Sequence, residues 1–412
     1  MGGRVNHGRP LEVTILSTYL SFPSGMAATN RVRLLARAMD EAGMRVRVLV
    51  MQASDRPPHV ENTEVRGTYC GVPFEYACGT TLRHDSFVMR RLIELRGWVT
   101  GAARLVQARR RGELDAVYLW FTSQRHSAHR SVYLALLRAL GVPVVIELNE
   151  RPWPLRDDRR LVEGLVSPIA GVAGAVAISR LLEDWARAEA GRLRRSITVM
   201  PVPIVVDVHE VEPEPYPETD DPVFVFAGAP EYDQALRFVF SAMECVWREF
   251  PECRLVVTGA RASDPASRRL LEEARLGGWD ERLHLAGYLE RPELLRLYGR
   301  ARGLLVPLFD DVRSTARFPT KIGEYLASAR PVVTNAVGEI PRYFEDGVNG
   351  VVCPPGDAAA FGERLAGLLR EPGRAAAIGR AGRELAERRF HYAQYGEELR
   401  RGFTEVARRG AK

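Results

Sequence analysis

Two kinds of apolar pattern alternate along the chain: short unbroken apolar runs, and longer stretches in which apolar residues recur at helical spacing. Residues 12–17 form the first run and predict a buried strand. A turn at 21–25 follows, then a helix over 27–42 whose stripe is Val32, Leu35, Ala36 and Met39, ended by Gly43. Residues 46–50 form the next strand. This strand–helix–strand opening marks a parallel sheet with right-handed crossovers, and the runs at 116–120, 142–146, 174–179 and 196–200 extend it.

Between them, residues 52–80 read as irregular. Residues 86–111 read as a long helix with Leu92, Leu95, Trp98, Val99, Ala102 and Val106 on one face and arginines on the other. It is expected to cover the sheet; the alternative is a helix making weak peripheral contact with a membrane surface.

The pattern then breaks. Residues 201–222 are rich in proline and acidic side chains, which predicts a linker with the division near residue 210. Strands restart at 223–228 and continue at 254–259, 283–287, 303–308, 332–334 and 349–353. The expected fold class is therefore α/β, with two Rossmann-like parallel-sheet domains, 1–209 and 210–390, facing a central cleft. A last helix within 391–412 is long enough to cross back to the first domain. Two domains also suit 412 residues, too many for one ordinary core.

Composition narrows the class. With 46% hydrophobic and 27% charged residues the chain is ordinary globular material, and no apolar run approaches membrane-spanning length. Residues 1–10 are polar and lack the apolar core of a signal peptide, so a cytoplasmic location is expected. Five cysteines without CxxC spacing predict free thiols, neither a metal site nor a disulfide framework. The net charge of +6 includes the clusters 109–111 and 194–195. No aromatic interleaving accompanies them, so solvated faces are expected and no nucleic-acid partner.

One stretch concentrates candidate chemistry. Residues 317–327 read Arg-Phe-Pro-Thr-Lys-Ile-Gly-Glu-Tyr-Leu-Ala, a helix with Pro319 at its first position and Ile322, Tyr325, Leu326 and Ala329 on its apolar face. Lys321 and Glu324 lie three apart near the positive helix end. A lysine there attracts phosphate, and a carboxylate one turn on can accept hydrogen bonds from vicinal sugar hydroxyls. The chain has only two lysines, Lys321 and Lys412, against 56 arginines. A chain that uses arginine everywhere has kept a compact point charge here, which arginine's planar fork does not replace. The plain alternative is a surface Lys–Glu pair.

Ligands of parallel sheets sit beyond the carboxyl ends of the strands. In the first half that rule selects Gly25, Met26, Ser123, Glu147, Asn149 and Glu150 as acceptor-binding residues and His126 as the histidine best placed for catalysis. In the second half it selects the tight turn at Gly228 and Ala229, whose backbone N–H groups can face a phosphate. The glycines do not form GxGxxG, which argues against a dinucleotide-binding dehydrogenase.

These blocks together resemble the nucleotide-sugar-binding half of a GT-B glycosyltransferase, specifically glycosyltransferase family 4. The residues that carry the likeness are Gly287-Tyr288, the block from Pro319 to Ala327, Arg330-Pro331-Val332-Val333, Val337-Gly338-Glu339, Gly347-Val348-Asn349-Gly350 and Pro355-Gly356-Asp357. The turn from Gly25 to Arg31 and Met200-Pro201 before Asp207 fit more loosely, so the likeness spans most of the chain.

The resemblance implies GT-B architecture and transfer of a sugar from a nucleotide diphosphate donor, with retention at the anomeric carbon. It implies no metal and no cofactor beyond the nucleotide sugar. Lys321 would face the diphosphate, Glu324 would hold the ribose, and Val337, Gly338 and Glu339 would lie near the sugar or phosphates. Both Lys321 and Glu324 would be catalytic.

The chain departs from the family at two places. The first of two glutamates separated by seven residues is replaced by Ala316, and an Arg…Lys-Gly pair in the domain's first turn is replaced by Pro230-Glu231-Tyr232-Asp233. Lys321 with Arg261 is then expected to neutralise the diphosphate. The donor would be UDP- or GDP-linked and the acceptor a small molecule of the antibiotic-type natural product class. An envelope glycolipid transferase, a sugar-nucleotide epimerase and a catalytically silent GT-B binding scaffold are the competing readings.

Overall fold

The computed structural model describes residues 9–56, 60–120, 127–150, 167–217, 221–228, 233–260 and 263–410. The chain forms two units, Met1–Val205 with Tyr392–Lys412, and Val206–His391.

Among the described residues the first unit has an eight-stranded sheet built from β1 (Glu12–Tyr19), β2 (Arg45–Gln52), β3 (Arg66–Tyr69), β4 (Val72–Tyr76), β5 (Ala116–Trp120), β6 (Val144–Leu148), β7 (Gly174–Ala177) and β8 (Thr198–Pro201). Their order is β3-β4-β2-β1-β5-β6-β7-β8, parallel except for the β3–β4 pair. The central strands are buried on both faces, which is why they read as continuous apolar runs. The β3–β4 hairpin lies within the stretch expected to be irregular. Its turn is Cys70-Gly71 with φ of +46° and +86°. Cysteine is not a residue that announces a left-handed turn, so the hairpin carried no turn signature.

Helices α1 (Ala27–Glu41), α2 (Phe87–Arg111), α3 (Ser127–Ala139) and α4 (Arg180–Arg192) connect these strands. In α1 the expected stripe of Val32, Leu35, Ala36 and Met39 is buried. In α2 half of the expected stripe faces outward. The buried positions are Gly97, Gly101, Leu105 and Ala108; Trp98, Ala102 and Val106 are half-buried, and Leu92, Leu95 and Val99 are exposed. The glycines explain it: a Cβ on Gly97 would stand 2.0 Å from the Met51 carbonyl oxygen, and one on Gly101 would stand 2.5 Å from the Met51 sulfur. The helix backbone itself lies on β2, and bulk on that side has no room.

The chain's last helix, Gly396–Gly410, belongs to the first unit and places Leu399, Phe403 and Val406 in its core. Phe403 meets Tyr118 of β5 edge-on at 5.6 Å.

The second unit has, among its described residues, a six-stranded parallel sheet in the order β11-β10-β9-β12-β13-β14. The strands are β9 (Val223–Ala227), β10 (Arg254–Thr258), β11 (Leu283–Gly287), β12 (Gly303–Val306), β13 (Val332–Asn335) and β14 (Val351–Cys353). Its helices are α5 (Asp233–Glu249), α6 (Pro265–Leu276), α7 (Arg291–Arg300), α8 (Val312–Ala316), α9 (Lys321–Ala327), α10 (Ile340–Tyr343), α11 (Ala358–Arg370) and α12 (Pro372–Arg389). The apolar face of α5, with Phe238, Val239, Ala242, Met243, Val246 and Trp247, fills the core of this unit.

The stretch expected to be a linker is packed. Val206, Val208 and Val211 are buried, the Val206 amide donates to the Phe390 carbonyl at 2.8 Å, and buried Arg330 holds the Glu214 and Pro215 carbonyls. Four valines between Pro203 and Pro213 supply the burial that a loose linker lacks.

Candidate active site

The sheet of the second unit starts at β9 and is built outward in both directions, so the strand order reverses between β9 and β12. The crevice beyond the carboxyl ends at such a reversal is where open α/β sheets bind ligands. The exits of β9, β12 and β13 are consecutive along that edge, within about 10 Å at ordinary strand spacing. They lead into Gly228, into the segment 307–316 and into the loop 336–339.

Helix α9 reaches this edge with two side chains. Lys321 Nζ donates to the Ala227 carbonyl at the last residue of β9, and the ammonium stands 5.6 Å from the centroid of the Phe226 ring. One turn on, the Tyr325 hydroxyl accepts from the Ala227 amide at 3.1 Å. One peptide residue is thus gripped at both its N–H and its C=O. Tyr325 is fully buried and meets Tyr298 edge-on at 4.8 Å; burial pushes its hydroxyl well up. Burial lowers Lys321 to about 8, Arg317 pushes the same way, and Glu324 opposes.

The start of α9 differs slightly from expectation. Thr320 stands at the N-cap position without a side-chain hydrogen bond, Pro319 precedes it, and the helix is seven residues long. The positive charge at this edge therefore comes from Lys321 more than from the short helix. The helix ends on Ala329 at φ +56°, a left-handed position that a non-glycine residue rarely takes; the Ala329 amide reaches the Leu326 carbonyl at 3.0 Å.

Glu324 faces elsewhere. Arg291, the first residue of α7, reaches its Oε1 at 2.9 Å and forks onto both oxygens of Glu210 at 3.0 and 2.8 Å. Burial works to lower the pKa of Arg291, but the two carboxylates outweigh it and raise it. The plain surface-pair reading of Lys321 and Glu324 is thereby replaced: the lysine grips a backbone carbonyl and the glutamate pairs with an arginine. Arg291 was not singled out by sequence reasoning, because one arginine among 56 carries no signal.

Of the other residues expected to bind the donor, the described ones, Gly228, Val337, Gly338 and Glu339, fall on the same edge. The Gly228 amide donates to the Thr258 carbonyl at 3.0 Å, and a Cβ there would lie 2.7 Å from the Phe226 ring. Val337 is buried, and Gly338 takes φ +60° against α8, where a Cβ would meet the Thr315 carbonyl oxygen at 3.1 Å. Glu339 is buried and pairs with Arg342 at 3.4 Å. Asp233, the acidic residue at the start of α5, pairs with Arg237 at 3.3 Å. Ala229 and Arg261 lie outside the described residues.

In the first unit the strand order reverses between β1 and β5, and the described residues expected to bind the acceptor lie after β1 and at the end of β6. Gly25 is in the turn after β1. A Cβ on it would meet Thr29 Oγ1 at 2.5 Å and the Ser21 carbonyl at 2.7 Å, two atoms already hydrogen-bonded to each other. Met26 is exposed, as is Glu150, and Asn149 is half-buried. Ser123 and His126 lie outside the described residues.

Glu147 is a correction. Its side chain is 3% exposed, its Oε1 takes Arg31 Nε at 2.7 Å and its Oε2 takes the Tyr118 hydroxyl. Arg31, itself fully buried, also holds the Val202 carbonyl at 2.8 Å and the Pro203 carbonyl. Burial pushes the Glu147 carboxyl up, while Arg31 and Tyr118 pull it down. A carboxylate with both oxygens spent inside the unit is a strut, not an acceptor contact. Alternation explains the misreading: a residue at the end of a parallel strand points to one face or the other, and Glu147 points inward.

Residues 221–371 match the family model described as glycosyl transferases group 1. Over 96% of its length the chain superposes on 99% of sucrose-phosphate synthase from Thermosynechococcus elongatus, with a TM-score of 0.70 at 16% identity. The fold is GT-B. A second GT-B neighbour, HepE from Anabaena in complex with UDP and glucose, gives a TM-score of 0.67 at 15% identity over 96% of this chain and 99% of that one. In sequence the chain is similar to a D-inositol 3-phosphate glycosyltransferase of Xylanimonas cellulosilytica, 29% identical over 46% of this chain and 44% of the relative. It is also similar to an alpha-D-kanosaminyltransferase of Streptomyces kanamyceticus, 22% identical over 57% of this chain and 63% of the relative. The chain spans about half the length of the curated relatives it matches. Among the described residues no three His, Cys, Asp or Glu side chains are grouped to hold a metal ion, and no helix of this GT-B chain is long and apolar enough to cross a membrane.

Proposed function

We propose that this protein is a glycosyltransferase that moves a sugar from a nucleotide diphosphate sugar to a small acceptor. The observation that carries the reading is the grip of Lys321 on the last carbonyl of β9, at the reversal of strand order in a GT-B donor domain. An ammonium has three donors. One goes to Ala227, which leaves two for a phosphate.

In the proposed reaction the bond between the anomeric carbon and the diphosphate oxygen breaks, and the electron pair leaves with the nucleoside diphosphate. The acceptor hydroxyl bonds to the anomeric carbon, and its proton passes to the departing diphosphate oxygen. Lys321 neutralises the charge that develops on the leaving diphosphate in a site of low polarity, where such a contact is worth more than in water. Glu324, oriented by Arg291, takes the ribose hydroxyls. Retention of configuration, independence of a metal ion and a UDP- or GDP-linked donor are part of this reading. UDP has the support of the HepE complex. A small acceptor has the support of the relative named as a D-inositol 3-phosphate glycosyltransferase, and an acceptor of the antibiotic-type natural product class is part of the same reading.

A second reading, a glycolipid acceptor, is favoured by one observation: the outward apolar face of α2. The deciding experiment titrates the protein calorimetrically with UDP and GDP, then incubates it with UDP- and GDP-sugars with and without acceptors, reading the product's anomeric configuration by NMR. Binding of one diphosphate and acceptor-dependent donor consumption are expected. Consumption of donor alone would indicate an epimerase, and binding of neither diphosphate a silent scaffold.

A further inference from the structure

The turn after β1 is held by side chains that come from elsewhere in the sequence. From β4, the Tyr76 hydroxyl accepts from the Phe22 amide at 2.8 Å and lies 3.2 and 3.0 Å from the carbonyls of Leu20 and Phe22. From α1, the Thr29 hydroxyl donates to the Ser21 carbonyl at 2.7 Å. Asn62, between β2 and β3, takes both backbone polar groups of Ser24. Its Oδ1 accepts from the Ser24 amide at 2.9 Å, and its Nδ2 donates to the Ser24 carbonyl at 2.9 Å.

Asn62 is fixed in turn by Asp55. That carboxylate accepts from the Asn62 backbone amide at 2.7 Å, from the Glu61 amide at 2.9 Å and from Asn62 Nδ2 at 3.2 Å. Asp55 and Asn62 are 5% and 4% exposed. Only one orientation of the Asn62 side chain satisfies these contacts, because the flipped one sets its oxygen against a carboxylate and a carbonyl.

The grip runs up to Gly25, and the next side chain, Met26, is 71% exposed. An apolar side chain is thus held out to solvent at the end of a turn whose backbone groups are already hydrogen-bonded. The turn stands at the carboxyl end of β1, beside the reversal of strand order between β1 and β5, where an open parallel sheet takes its ligand. A surface fixed before its ligand arrives loses less freedom on binding.

We propose that Asn62 is a positioning residue for the acceptor: anchored on Asp55, it fixes Ser24 and so sets where Gly25 and Met26 meet the acceptor. This rests on the glycosyltransferase reading above, with the acceptor taken by the first unit. Because Asn62 acts through the turn, its loss should fall on the acceptor and spare the donor, whose candidate residues lie in the second unit.

The test is steady-state kinetics of the full chain with UDP-glucose and GDP-mannose as donors. The acceptor probes are myo-inositol, inositol phosphates, glucosamine and glycerol. Asn62→Ala should lower kcat/KM for the acceptor by about ten- to a hundredfold, with donor KM and UDP affinity unchanged. Asn62→Asp should do the same, since it sets a second carboxylate against Asp55 and removes the donor to Ser24. Adding Asp55→Asn to Asn62→Asp removes that repulsion and keeps the acceptor for the Ser24 amide, so most of the loss should return. The swapped pair also serves where Asn62→Ala does not fold. Val406→Ala, which truncates a fully buried side chain of the last helix, loosens the same unit without touching the turn and should leave acceptor kcat/KM as it is.

Unchanged acceptor kinetics in Asn62→Ala, equal losses for acceptor and donor, the same loss in Val406→Ala, or no rescue by Asp55→Asn would overturn the proposal and leave the glycosyltransferase reading intact. A wild type that shows no acceptor-dependent donor consumption with any probe would overturn both.

Discussion

Lys321 donates from its ammonium to the carbonyl of Ala227, 94 residues earlier in the chain. The contact pins the one internal lysine to the carboxyl end of the strand from which the second unit's sheet is built. If its charge serves the diphosphate, Lys321→Ala loses it outright. A charge-assisted contact is worth about 1.5–3 kcal/mol, so donor affinity should fall by about ten- to a hundredfold, with a larger loss in turnover. Calorimetry with UDP and steady-state kinetics check this; near-native values in Lys321→Ala would return the lysine to a purely structural role.

The pH dependence of donor binding follows from the same ammonium. Burial lowers its pKa to about 8, and a diphosphate binds the protonated form better. Affinity should be flat below pH 8 and weaken above it, by at most about tenfold per pH unit. The effect on folding has the opposite sign. A lysine whose pKa is depressed in the folded state costs stability while both states are protonated, and that cost fades as pH rises from about 8 towards the ordinary lysine value of about 10.4. Titrations of UDP binding and of thermal unfolding, each compared with Lys321→Ala, separate the two. A profile of UDP affinity that is identical in both proteins would remove Lys321 as its cause.

Tyr325 closes the other half of the grip. Tyr325→Phe keeps the ring against Tyr298 but leaves the Ala227 amide without the acceptor it has at 3.1 Å. A buried donor without a partner costs about 1–3 kcal/mol. The variant should unfold at lower temperature and show a raised KM for the nucleotide sugar, with the KM for acceptor unchanged. Equal changes in both KM values would mean that the whole fold has loosened.

The regular core of this chain was legible because parallel strands buried on both faces leave unbroken apolar runs, as at 116–120 and 223–227. The residue that reaches the end of β9 was legible because Lys321 stands out in an arginine chain. What was hidden depends on direction. Leu92, Leu95 and Val99 have the spacing of a core stripe, and only Gly97 and Gly101 on the opposite side show that the helix backbone sits on the sheet. Glu147 stands at a strand end as a ligand residue would, but its partner Arg31 is 116 residues away. Arg291 became visible only once α7 brought it to Glu324.

Glu324 is expected to act through the donor's ribose, which allows a test within one variant. Glu324→Gln keeps the size and removes the charge. It should weaken UDP binding by about tenfold, the size of one charged hydrogen bond, and leave binding of 2′,3′-dideoxy-UDP nearly unchanged. Arg291→Met should produce part of the same loss by releasing the carboxylate from its 2.9 Å contact. Equal losses for UDP and its dideoxy analogue would remove Glu324 from ribose recognition.

The buried pair of Arg31 and Glu147 predicts a stability effect without an acceptor effect. Glu147→Ala would leave a guanidinium that is almost fully buried without its carboxylate, although the carbonyls of Val202 and Pro203 remain to it. Removing one partner of a buried pair costs about 3–5 kcal/mol, whereas replacing both by apolar residues of similar size is often far milder. Chemical denaturation should therefore show a large loss for Glu147→Ala and a smaller one for Arg31→Met with Glu147→Leu. The Tyr118 hydroxyl, which points at Glu147 Oε2, should add to the cost in the single variant, since it loses its acceptor too. Protein that remains folded should keep the wild-type KM for acceptor. A raised acceptor KM at unchanged stability would restore Glu147 to the acceptor side, where its position at the end of β6 first placed it.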